Sequence, residues 1–194
     1  MKTLERSVRL RATMTLAAVA GLISCAACRG DRPAPEEETA ESSLPDYESM
    51  SFPYDLEPPQ KRAIGRYLES RPDWRLALAE DNTSQLLGRM KRDRPDYEPY
   101  FAEGDITGDG ERDLVLAVTN GSGAFRVVWF RGTGTGYAPP QPVTNASWLN
   151  EGGIILKDGD LLIGEFYTDA AQRYAWNAEA RRLERQEVTG ELRS

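Results

Sequence analysis

The sequence predicts an α+β domain in which one or two N-terminal helices pack on a mostly antiparallel β-meander of six to seven strands. Three observations lead there. The continuous apolar run Leu114-Val115-Leu116-Ala117-Val118 reads as a strand covered on both faces. Short apolar segments separated by Asn120-Gly121 and Asp158-Gly159 follow it, and such pairs are the turn chemistry of hairpins. Helical spacing of apolar residues appears ahead of it, at Ala63, Ile64, Tyr67 and Leu68.

Taken in order, residues 1–24 join a basic start (Lys2, Arg6, Arg9, Arg11) to an apolar run from Met14 to Ile23. That run is short for a bilayer span and suits the core of a signal peptide. It ends Leu22-Ile23-Ser24-Cys25, which resembles the bacterial lipobox. The resemblance implies cleavage before Cys25, lipidation of Cys25 and an exported chain anchored to the cell envelope. Ala26 after the cysteine resembles the default sorting signal to an outer membrane, where the cell has one. Several acyl chains together give stable anchoring. Cys28 has no assigned role, and the tripeptide Arg29-Gly30-Asp31 is short enough to arise by chance.

Residues 25–56 read as an acidic, proline-punctuated disordered tether. Pro33, Pro35, Pro45 and Pro53 interrupt it, and Glu36, Glu37, Glu38 and Glu41 load it with like charge. Such a segment buries too little apolar surface to offset chain ordering and stays extended. Tyr47, Met50, Phe52, Tyr54 and Leu56 are more apolar and are candidates for docking on the domain that follows.

The globular domain is expected over 57–194. Pro58-Pro59 suits the first turn of a helix, whose amides lack partners anyway, and Pro72 stops it. Trp74, Leu76 and Leu78 alternate as a short strand or a further helical turn. Asn82, Thr83 or Ser84 offers a cap for a second helix carrying Leu86, Leu87 and Met90. The charged faces of both helices read as solvated surface.

The stretch 105–113 carries the most chemistry. Asp105, Thr107, Asp109, Glu111 and Asp113 fall on alternate positions of a nine-residue segment, with Gly108 and Gly110 between them. Glycine permits the left-handed turns that bring alternate residues toward one centre. Three carboxylates held together repel, and a hard divalent cation relieves that repulsion. Calcium accepts carboxylate, hydroxyl, carbonyl and water oxygens. Glu111 stands where such loops supply a backbone carbonyl. Gly110 matches the invariant glycine of an EF-hand, but Leu116 stands where that loop needs a bidentate glutamate, and a strand follows instead of a helix.

The segment resembles the calcium loop of FG-GAP and VCBS repeats, with Asp105, Asp109, Gly110, Asp113 and Leu114 matching and Thr107 replacing the usual Asp or Asn. The resemblance covers fifteen to twenty residues and occurs once. It implies a structural Ca2+ site in a strand–loop–strand setting, not a complete propeller. Extracellular loops of this type bind at about 10⁻⁴–10⁻³ M.

Past the loop, Phe125, Val127 and Trp129 alternate with Arg126, Val128 and Phe130 as a strand. Gly132-Thr133-Gly134-Thr135-Gly136 reads as a turn, since no Lys-Ser/Thr pair follows as a phosphate loop requires. Pro139, Pro140 and Pro142 mark an edge segment. Two hairpins close the chain, one across Asp158-Gly159 and one across residues 177–180.

Composition excludes several functions. The chain has no histidine, so a Ser-His triad and the usual zinc ligand are absent. Its two cysteines lie beside the export signal, so no disulfide framework or thiolate centre serves the domain. Net charge is -7, and beyond residue 24 there remain 20 basic and 30 acidic residues, which disfavours nucleic acid. The expected function is a non-enzymatic, membrane-anchored envelope module whose protein or glycan partner the sequence does not name. The alternative is a carbohydrate- or protein-binding module using an aromatic groove of Trp129, Trp148, Tyr167, Tyr174 and Trp176. Third comes a hydrolase drawing on Glu103, Glu151, Glu165 or Asp169.

Overall fold

A computed structural model describes residues 45–168 and 171–187, and these form an α+β unit dominated by antiparallel sheet. The signal, Cys25 and the first part of the tether lie outside the described residues, as does Asp169. Among the described residues no helix is long and apolar enough to cross a membrane.

The centre is strand β3 (Asp113–Thr119), buried at every position. Because side chains alternate along a strand, its apolar run serves two faces. Leu114, Leu116 and Val118 join one core with Val128 and Phe130 of β4 (Phe125–Phe130) and with Ile64 and Tyr67 of helix α1 (Pro58–Glu69). Val115 and Ala117 join the other core with Val127 and Trp129 of β4. The opposite wall of that second core comes from Ile154 in β8 (Gly152–Lys157), Leu161 and Ile163 in β9 (Asp160–Glu165) and Tyr174 in β10 (Gln172–Asn177). The order is therefore helix, sheet, sheet.

In the first sheet β3 pairs with β4 on one side. On the other it pairs end to end with β1 (Arg75–Leu76) and β2 (Phe101–Gly104), and β7 (Gln141–Asn145) forms the far edge beside β4. Pro142 lies on that edge strand, where a missing amide costs no ladder bond. The second sheet is a meander closed by β11 (Arg182–Gln186). Its first turn holds Asp158 at φ 53° and Gly159 at φ 82°, the two positive values that match the twist of a two-residue hairpin. A small hairpin, β5 (Gly132–Thr133) with β6 (Gly136–Tyr137), stands at the end of β4.

Eleven strands are described where six to seven were expected. The additional segments include the two-residue strands β1, β5 and β6; β1 pairs with a strand far away in sequence, whereas β2 pairs with β3 directly across the loop. Helix α2 (Leu87–Asp93) follows the anticipated cap region, and its Met90 is buried with Tyr97 and Phe166 while Leu86 stays exposed.

Residues 45–56, expected as the end of the tether, lie on the domain. Tyr47 and Leu56 are buried, and Tyr54 stacks on Phe101 at 4.9 Å. Gly65 permits this docking, since a Cβ there would stand 2.3 Å from the Tyr47 ring. The described part of this segment accordingly belongs to the compact unit.

Leu116→Ala removes a fully buried side chain from the central strand and is expected to cost about 2–5 kcal/mol. Leu86→Ala, at an exposed position, is expected to stay within about 0.5 kcal/mol. Urea denaturation of both variants measures the contrast.

Candidate metal loop and its buried carboxylate anchor

The loop between β2 and β3 holds all five residues singled out by spacing, in unequal settings. Asp113 is fully buried, Thr107 is half-buried, and Asp105, Asp109 and Glu111 are exposed.

The Asp105 carboxylate closes the turn on itself. Its Oδ1 accepts the backbone N–H of Gly108 (2.7 Å) and Asp109 (3.2 Å), and its Oδ2 accepts that of Gly110 (2.9 Å). Gly108 and Gly110 take φ 75° and 86°, values other residues rarely adopt, which explains their place in the sequence. These N–H donors, that of Gly110 foremost, hold the Asp105 carboxyl below its ordinary value of 3.8. The sign follows from linkage: this contribution is present above 3.8 and is lost as pH falls through the lowered value.

Asp113 does a different job. Its Oδ2 accepts the N–H of Ile106 (3.0 Å) and Thr107 (3.2 Å), and its Oδ1 accepts that of Gly132 (2.8 Å). One buried side chain thus ties the start of the loop to the head of β3 and to β5. Gly132 is required at the far end, because a Cβ there would meet the Arg112 carbonyl at 2.3 Å. Burial pushes the Asp113 carboxyl above 3.8, against the opposing pull of the three N–H groups. A carboxyl raised in the folded state makes stability fall as pH rises through the window above 3.8.

Asp109 Oδ1 accepts the Glu111 N–H at 3.0 Å, and its Oδ2 lies 3.9 Å from Arg131. Thr107 Oγ1 is buried with no hydrogen-bond partner.

The donors suit a hard cation in kind. All are oxygens, one is an orphaned buried hydroxyl, and a carboxylate has room for about four bonds where Asp105 and Asp113 each accept three. They are not gathered, however: among the described residues no three acidic side chains converge on a point that would hold a metal. Backbone N–H groups occupy the positions that spacing alone assigned to an ion. Gly132 and Arg131 were missed in the sequence because they lie 19 and 22 residues from their acidic partners, Asp113 and Asp109.

The aromatic groove is not formed. Trp129 is fully buried and packs edge-on against Trp176 at 5.2 Å, Tyr174 is buried, and Trp148 and Trp176 lean on the same core. Tyr167 alone of the five is exposed. The reason is that β4 and β10 face each other across the sheets, so their large side chains fill the gap. Of the acidic candidates for catalysis, Glu103 is engaged by Arg112 at 2.6 Å and by Gln60 at 2.6 Å.

Comparison with known proteins finds no relative: no protein-family model matches the chain, and no curated protein or solved structure does.

Asp113→Asn keeps the shape but turns one acceptor into a donor facing backbone N–H groups. It is expected to cost about 1–3 kcal/mol at neutral pH. It should also abolish the fall in stability above pH 3.8 that the wild-type carboxyl produces. Urea denaturation of both proteins from pH 3 to 7 measures both effects.

Proposed function

We propose that this chain is an exported envelope protein, lipid-anchored through Cys25, that binds rather than catalyses and carries a structural calcium ion in the loop 105–113. The observation that supports it is the form of that loop. It is built by carboxylate-to-amide bonds, opens into a strand buried on both faces, and leaves Thr107 Oγ1 buried and unpartnered. Asp105, Asp109 and Asp113, with the Thr107 hydroxyl and the Glu111 carbonyl, are the groups that would hold the ion. Bound calcium would supply positive charge beside carboxylates that the loop holds on backbone N–H groups. Arg131 beside Asp109 supplies part of that charge by itself. In this reading Asp113 keeps its three backbone bonds and would offer the ion its one spare acceptor position.

An ion of this class stabilises the fold by mass action. At 10 mM calcium and an affinity in the extracellular range, the melting temperature should rise by about 3–10 °C. Scanning calorimetry of the detergent-solubilised chain, with Asp109→Asn as comparison, measures this. A rise in the wild type that the variant loses supports the site, and equal melting with calcium or chelator rejects it.

The anchor is tested separately. Cys25→Ala is expected to abolish labelling by a radioactive fatty acid and to move the chain out of the membrane fraction. Unchanged labelling would reject lipidation at this residue.

A further inference from the structure

A cleft of about 440 Å³ lies between α1 and the β5–β6 hairpin, away from the loop. Its lining is unusual for this chain. Arg62, Arg66 and Arg71 contribute to it, whereas none of its described lining residues is acidic, in a protein with 31 Asp and Glu. Beneath it the buried rings of Tyr67 and Phe130 meet edge-on at 5.8 Å, and the half-buried Tyr137, edge-on to Phe130 at 6.5 Å, carries the aromatic surface into the cleft. Pro139 and Pro140 extend this apolar surface.

The cations are not equivalent. Arg62 is paired with Glu48. Arg66 and Arg71 have no acidic partner among the described residues. Arg66 Nε donates to the Arg62 carbonyl at 3.2 Å, which fixes the side chain and leaves its terminal amino groups available. Arg71 lies over the Tyr67 ring at 4.2 Å and donates to the Tyr67 carbonyl at 3.2 Å and to Ser70 Oγ. Guanidinium groups fixed in this way recognise carboxylate and phosphate through paired N–H donors. The volume lies in the range of small-molecule sites.

We propose that this cleft binds a small organic anion, a carboxylate or a phosphate ester, whose ring-shaped body lies against Tyr137, Pro139 and Pro140. Arg66 and Arg71 hold the anionic group. Thr133 and Thr135 line the same cavity and serve as further hydrogen-bonding residues, while the Ser70 hydroxyl is committed to the Tyr67 carbonyl and to Arg71. Calcium is not required, so this site stands or falls apart from the loop.

The probes are phenyl phosphate and benzoate, with benzyl alcohol as the neutral control for partitioning into detergent. Binding to the full chain is measured by ligand-observed NMR at low salt and in chelator. One or both anions should bind with 1:1 stoichiometry at a Kd below about 10 mM, and benzyl alcohol should not compete. The double variant Arg66→Ala/Arg71→Ala should weaken binding about tenfold or more, and the single exposed change Arg66→Gln by several-fold with an unchanged melting temperature. Arg185→Ala, on the far sheet, should leave binding unaltered. Absence of binding by both anions, equal binding of the alcohol, or equal affinity of Arg66→Gln and wild type would overturn the proposal.

Discussion

The structure depends on a carboxylate that water does not reach. Asp113 opens the strand at the centre of the fold, and its two oxygens collect three backbone N–H groups from two distant segments. A charge in that position is tolerated only because hydrogen bonds replace its hydration. The arrangement fixes the register at which loop, β3 and β5 meet. Since β5 begins the hairpin that walls the arginine cleft, the same side chain positions both candidate sites.

The sheets were legible where local chemistry dictates them. Asp158-Gly159 marks its hairpin because both residues must take positive φ, and the run 114–118 is apolar throughout because both of its faces are covered. The α+β class follows from these features. What was not legible depends on distant contact. The alternation at Trp74, Leu76 and Leu78 left strand and helix open, and the edge of β3 selects the strand. Tyr47 stood out only as apolar, and it finds its seat because Gly65 leaves a gap. The alternation around Trp129 and Trp176 is the same for a groove and for a core, and only the packing of one sheet on the other decides it.

The candidate sites divide along the same line. Asp105, Gly108 and Gly110 are local, and the turn forms as their spacing suggests. Arg62 and Arg66 stand one helical turn apart, a spacing visible in the sequence, yet a charged helix face ordinarily means solvent. The facing hairpin, some seventy residues on, converts that face into a cleft. In the proposed reading the loop supports the fold and the cleft supplies recognition.

Amide hydrogen exchange in chelator and in 10 mM calcium tests the central claim most directly, that a carboxylate-anchored loop accepts a structural ion. The N–H groups of Ile106 and Gly132 should be protected in both conditions, because Asp113 holds them without metal. Those of Gly108 and Gly110 should gain protection when calcium is added, because the ion suppresses local opening of the loop. Identical exchange of the loop in both conditions, or free exchange of Gly132 in chelator, would contradict the account.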